Sequence, residues 1–285
     1  MTLETLSEHQ SHGGTVGFYR HESEETKCTM QFSVFVPPQA KAGPVPVLTY
    51  LAGLTCTEET FMTKAGAHRV AAELGLMLVA PDTSPRGVNV PDDPDGSWDF
   101  GLGAGFYLDA TEAPYATNYR MYSYVTRELR SLIAAHFPAD SKREGVFGHS
   151  MGGHGALTIG LKNPDIYRSI SAFAPICSPI NCPWGGKVLP LYLGLNQETW
   201  ADYDAATLIH ALPKGEAHGR PSLLVDQGMN DQFLEAQLHP HLLENACSEV
   251  GMALTLRSHA GYDHGYYFIS TFMEDHLRHH AAALT

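Results

Sequence analysis

The sequence predicts an α/β protein built on an open, mostly parallel sheet with helices on both faces. Three observations predict it. Short apolar runs alternate along the chain with stretches whose apolar spacing is near 3.6, the strand-then-helix order of a parallel sheet. Several of the short runs are apolar at successive positions, as strands buried on both faces are. A tight turn, Gly148-His149-Ser150-Met151-Gly152, joins one such run to one such stretch.

The elements follow in order. Residues 31–36 alternate polar and apolar and stop at Pro37-Pro38, the pattern of a half-buried strand. Runs 45–51 and 76–80 read as buried strands, with a helix over 65–74 between them and Gly75 as its C-terminal cap. Residues 119–136 read as a helix ending before Pro138. Strand 145–148 leads into helix 151–161, which stops near Asn163-Pro164. Strands are expected at 169–174, 222–226 and 253–258, and helices at 232–250 and 265–280. The Pro- and Gly-rich patches at 37–46, 81–105 and 175–194 are interrupted by aromatic and aliphatic residues, so none reads as a tether. The expectation is a single domain over 1–285, with no separate lid domain.

Composition narrows the function. The 285 residues carry 31 acidic side chains against 18 Lys and Arg, a formal charge of −13, which repels phosphate backbones and excludes nucleic acid as an expected partner. No apolar run approaches the ~18 residues that span a bilayer, so no membrane association is expected. The first ten residues have neither the basic start nor the apolar core of an export signal. Five cysteines without a Cys-x-x-Cys pair exclude a complete disulfide framework. A cytoplasmic, enzyme-sized domain is the expectation.

The turn at 148–152 has the Gly-x-Ser-x-Gly pattern of a nucleophile elbow, in the strand-turn-helix context the elbow requires. There the flanking positions must be small, and the serine is strained so that its hydroxyl stands clear of the backbone. The Met151 amide then opens a helix and can donate to a developing oxyanion. A serine needs a base, and His264 in Gly261-Tyr262-Asp263-His264-Gly265 follows the last expected strand, with His259 in reserve. His149 and His154 read as satisfied structural histidines aimed away from the serine; His276, His279 and His280 read as solvated. The acid belongs after the strand ending near Val225. Asp231 is preferred to Asp226, since it lies past the turn; its bland alternative is to cap the helix expected from 232. The order Ser150, Asp231, His264 is that of an α/β-hydrolase. The second oxyanion donor is the amide of Leu54, in the loop 51–56 after an early strand. No cofactor is called for. His239-Pro240-His241 and His279-His280 lack the spacing of a zinc site, so no metal is expected.

Assembled, these residues resemble the S-formylglutathione hydrolase (esterase D) family of α/β-hydrolases. The likeness rests on Leu51-Ala52-Gly53-Leu54-Thr55-Cys56-Thr57, Asp82-Thr83-Ser84-Pro85-Arg86-Gly87, Gly105-Phe106-Tyr107-Leu108-Asp109, Gly148-His149-Ser150-Met151-Gly152-Gly153-His154-Gly155, Cys182-Pro183-Trp184-Gly185 and the segments around Asp231 and His264. The resemblance implies hydrolysis of a small-molecule glutathione thioester to glutathione and formate, with the triad and oxyanion amides named above. It places Cys56 near the site without making it the nucleophile, and Trp184 at the border of the substrate site. It leaves a homodimer open, since family members often pair. Lys64, Arg86 and Lys187, in loops expected to rim the site, are candidates to meet glutathione carboxylates. Ala52 stands where the family commonly has serine, and 188–190 depart from its pattern. A broad short-chain carboxylesterase with the same triad is the alternative. An acyltransferase or a non-catalytic binding module fits less well.

Overall fold

The computed structural model describes residues 2–285. One nine-stranded sheet organises them: β1 (Glu4–Ser11), β2 (Gly14–Glu22), β3 (Thr29–Val36), β4 (Val45–Leu51), β5 (Met77–Pro81), β6 (Ala139–His149), β7 (Tyr167–Phe173), β8 (Leu223–Gly228) and β9 (Leu254–His259). Their spatial order is β1-β2-β3-β5-β4-β6-β7-β8-β9. The first three pair antiparallel with one another, and β3 with β5; from β5 to β9 every pairing is parallel. The helices are α1 (Glu58–Lys64), α2 (His68–Leu74), α3 (Met121–Ser123), α4 (Arg130–His136), α5 (Met151–Lys162), α6 (Pro183–Leu193), α7 (Gln197–Trp200), α8 (Ala205–His210), α9 (Pro240–Val250) and α10 (Tyr266–Leu284). Among the described residues no helix is long and apolar enough to cross a membrane.

The expected fold class holds. Every residue of β4 and β5 is buried, as their unbroken apolar runs require. Gly75 closes α2 at φ 71°, the left-handed cap a glycine supplies without strain. The departures have local causes. The helix expected over 65–74 begins only at His68, where Gly66 at φ 67° parts it from α1, a helix that the sequence reading did not include. The helix expected over 232–250 breaks at His239, which adopts φ 48° ahead of Pro240. Residues 124–129 of the expected 119–136 helix widen into a π-type turn. β1 and β2 went unread, as did the helices of 183–210.

Register brings the working loops together. Leu51 pairs with Gly148, His149 with Phe173, Phe173 with Asp226, and Gly228 with His259. The carboxyl ends of β4, β6, β7, β8 and β9 therefore line up, and the loops that leave them share one edge of the sheet.

Candidate active site

Ser150 stands between the end of β6 and the start of α5 with φ 56° and ψ −118°. A non-glycine residue holds that conformation only where its surroundings impose it. Here backbone packs on backbone. A Cβ on Gly148 would stand 2.2 Å from the Gly152 carbonyl oxygen, and one on Gly152 would stand 1.9 Å from that of Leu51. The Ser150 amide donates to the Phe173 carbonyl at 3.0 Å, and its own carbonyl accepts from the amides of His154 and Ile176.

His264 lies between β9 and α10, and its Nδ1 is 2.5 Å from Asp231 Oδ2. That contact makes Nδ1 the donor and leaves Nε2 as the free base. Asp231 is buried. Its Oδ1 accepts the Phe233 amide at 2.8 Å, and its Oδ2 also accepts from Gln227 Nε2 at 3.2 Å. It thus makes the turn-capping bond of its bland alternative and still reaches the histidine. Asp226 is engaged elsewhere: Arg257 grips both its oxygens at 2.6 Å, with His259 and His276 each at 3.3 Å. Burial alone would raise the Asp226 carboxyl, but His276 and Arg257 hold it far below the usual carboxylate range. His259, stacked on Phe272 and beside Asp226, belongs to that structural cluster.

Ser150 and His264 open onto one cavity of about 100 Å³, around which Leu54, Cys56, Trp98, His149, Trp184 and Phe233 close. The Leu54 loop is held by its carbonyls and neighbouring amides. Tyr107 donates to the Ala52 carbonyl at 2.9 Å, Thr83 and Arg86 donate to that of Cys56, and the Thr55 amide donates to Gly103. Burial pushes the Cys56 thiol upward, which keeps it protonated beside the serine.

A family model described as "Putative esterase" matches residues 23–279. S-formylglutathione hydrolase of Bos taurus is 51% identical over 285 residues, which is 100% of this chain and 99% of that protein. The Arabidopsis thaliana S-formylglutathione hydrolase is 53% identical over 268 residues, 93% of this chain and 92% of that one. A solved S-formylglutathione hydrolase structure from Agrobacterium tumefaciens superposes with a TM-score of 0.95 at 51% identity, covering 99% of both chains. The chain belongs to the S-formylglutathione hydrolase family.

In this member of the S-formylglutathione hydrolase family several sequence expectations need correction. Arg86 does not present a free cation to the cavity: it is half-buried, forks onto Asp82 at 2.7 and 3.0 Å, and supports the Cys56 carbonyl. Lys187 lies on α6, not in a loop, and pairs with Asp99 at 2.5 Å and Asp93 at 3.5 Å. His149 is not aimed away. Its ring lines the cavity, lies 4.4 Å from that of His264, and neither of its nitrogens has a protein hydrogen-bond partner. Burial, and then the neighbouring His264, hold it well below the usual imidazole range, so it is a neutral wall. His276 and His280 are not solvated but fully buried, bonded through Ser171 and Ser169, with His279 half-buried beside them; the terminal helix lies against the sheet. Phe233, to which sequence reasoning gave no role, lines the cavity, and so does Trp98, whose expected role in the loop before residue 119 is packing. Trp98 sits in a Pro- and Asp-rich loop with no periodicity and meets Trp184 edge-on at 5.9 Å. Among the described residues no cluster of three metal-ligating side chains occurs.

Proposed function

We propose that this chain hydrolyses S-formylglutathione to glutathione and formate through a formyl-serine at Ser150. The observation that carries the reading is the His264–Asp231 contact beside a strained serine, in a chain about half identical to full-length hydrolases of that name. One sheet supplies nucleophile, acid and base from its aligned strand ends, which supports treating residues 1–285 as one catalytic unit.

His264 Nε2 takes the Ser150 proton as Oγ attacks the thioester carbonyl. Asp231 holds the imidazole in the tautomer that leaves Nε2 free and stabilises the imidazolium. The amides of Leu54 and Met151 receive the oxyanion; losing one such donor typically costs about 3 kcal/mol of barrier. The C–S bond breaks, the thiolate leaves, and His264 returns the proton to sulfur. Water, deprotonated by the same Nε2, attacks the formyl ester, and C–O cleavage releases formate and restores the serine. A cavity of about 100 Å³ has room for a handful of water-sized groups, which suits a one-carbon acyl group. A glutathione substrate and five unpaired cysteines are in keeping with a reducing, cytoplasmic setting.

The test is kcat/KM for S-formylglutathione, S-acetylglutathione and p-nitrophenyl acetate, in wild type and Ser150→Ala. The expected result is a preference of several orders of magnitude for the formyl thioester, with a loss on the order of 10⁴- to 10⁶-fold in the variant. Comparable rates on all three substrates would make the protein a broad carboxylesterase with the same triad. Full activity in Ser150→Ala would remove the serine from the mechanism.

A further inference from the structure

Two hollows flank the cavity, and their charges differ. One, of about 310 Å³, lies beyond His264 and is lined by Asn230, Gln232, Phe233, Asp263 and Gly265; its charged rim residue is a carboxylate. The other, of about 480 Å³, is lined by Lys64, Tyr266, Tyr267 and Ser270. A thiol leaving group bearing carboxylates is repelled by the first and attracted by the second. The protein as a whole is acidic, so attraction must come from a local cation.

Of the three cations that the sequence brings near the site, the structure leaves one available. Arg86 is locked onto Asp82, and Lys187 onto Asp93 and Asp99. Lys64 ends α1, is exposed, and makes no ion pair among the described residues. Its ammonium sits 5.9 Å above the Tyr266 ring, a position that leaves its hydrogen-bond donors free. Tyr266 joins this hollow to the catalytic cavity, because its ring lies 6.2 Å from that of His149. An extended peptide covers ~3.5 Å per residue. Lys64 carries its ammonium on a flexible four-carbon stem, which adds its own reach to that of the peptide.

We propose that the hollow bounded by Lys64, Tyr266, Tyr267 and Ser270 receives a carboxylate of the leaving thiol, with the Lys64 ammonium as its partner. Lys64 is then a specificity-determining residue that acts on binding and not on the chemical step. This rests on the glutathione-thioester reading given above.

The experiment compares S-formylglutathione with its dialkyl ester, in which both carboxylates are neutralised. Wild type should favour the free acid in KM. Lys64→Ala should raise KM for the free acid about tenfold, the loss expected of one charge-assisted hydrogen bond. Its kcat should stay within about twofold, and the preference over the dialkyl ester should disappear. Lys64→Arg should restore most of the preference, and Lys64→Glu should reverse it. Added salt should erode the wild-type preference. An unchanged KM in Lys64→Ala, or an equal rise for both substrates, overturns the proposal. Wild type that cleaves S-formylglutathione no faster than p-nitrophenyl acetate defeats the functional reading itself, and this proposal with it, before any variant is made.

Discussion

Residues 148–155 and residues 82–120 both border the cavity, yet they are held in different ways. At the serine corner backbone meets backbone, and the two glycines flanking Ser150 leave no space for a Cβ. The 82–120 segment contains two isolated bridges and one short 3₁₀ turn, and side-chain bonds join its scattered backbone hydrogen bonds in setting its course. Arg86 grips Asp82; Tyr119 donates to the Pro91 carbonyl at 2.6 Å, Tyr115 to that of Asp92 at 3.2 Å, and Tyr192 to that of Ala104 at 3.0 Å; Lys187 ties the segment to α6 through Asp99. The corner is therefore an all-or-none steric device, whereas the loop spreads its hold over many contacts. Substitutions should be far less tolerated in the first than in the second.

Gly152→Ala should show the largest effect. The added Cβ falls on the Leu51 and Ala52 carbonyl oxygens, at 1.9 and 2.5 Å, and no rotamer change relieves a clash with backbone. Either the elbow or the Leu54 loop must move, and with it one proposed oxyanion donor. The expectation is a loss of ~10²- to 10³-fold in kcat/KM, with ~1–3 kcal/mol of destabilisation from overpacking. Steady-state kinetics beside urea unfolding measures both. A variant with wild-type kinetics would mean that the corner is compliant and that the contrast with the loop is false.

Much of the corner was legible because its signal is local. Gly148 and Gly152 bracket the serine within five residues, and an apolar run fixes the strand ahead of them. The 45–51 strand and the helix from 151 match Val45–Leu51 and Met151–Lys162 for the same reason. The loop was not legible, because its shape depends on partners far away in sequence: Lys187 meets Asp99 across 88 positions, and the Asp109 amide donates to the Tyr203 hydroxyl across 94. β1 was missed on other grounds. Its residues ETLSEHQS lie at the sheet edge, largely exposed on both faces, and carry no apolar alternation. His276 and His280 are polar yet fully buried, so polarity alone does not place them. Ser169 and Ser171 supply their hydrogen-bond partners and Asp226 faces His276 with a carboxylate, an arrangement that only the fold brings together.

Arg86→Ala tests whether the loop has any position as critical as the corner. Asp82 is buried, with its side chain 5% exposed, and loses its charged partner in this variant. Leaving a buried carboxylate without its charged partner costs ~3 kcal/mol. The Cys56 carbonyl also loses one of its two donors. Denaturant unfolding should show a loss of about 3 kcal/mol with kcat reduced by less than tenfold, since the proposed catalytic groups keep their own supports. A catalytic loss as large as that of Gly152→Ala would place the loop on a par with the corner.

The smallest effect concerns a side chain that bonds one region to the other. His154, on α5 next to the corner, is fully buried, and its Nε2 donates to the Phe106 carbonyl of the loop at 3.0 Å. A carbonyl only accepts, so the ring is neutral with its proton on Nε2. Burial, opposed in part by that bond, lowers its pKa from 6.5 to about 4. The folded form therefore resists a proton that the unfolded chain accepts below pH 6.5. Stability is complete above that value and declines as pH falls toward 4, by ~1.4 kcal/mol per pH unit. At pH 5 this histidine alone should cost about 2 kcal/mol. His154→Gln keeps an N–H near the Phe106 carbonyl and removes the titration. Its unfolding free energy should change by about 2 kcal/mol less than that of wild type between pH 7.5 and pH 5. Urea titrations at the two pH values decide the matter. Equal changes in both proteins would show that His154 takes up a proton in the folded state, and that the contact between corner and loop survives as a charged one.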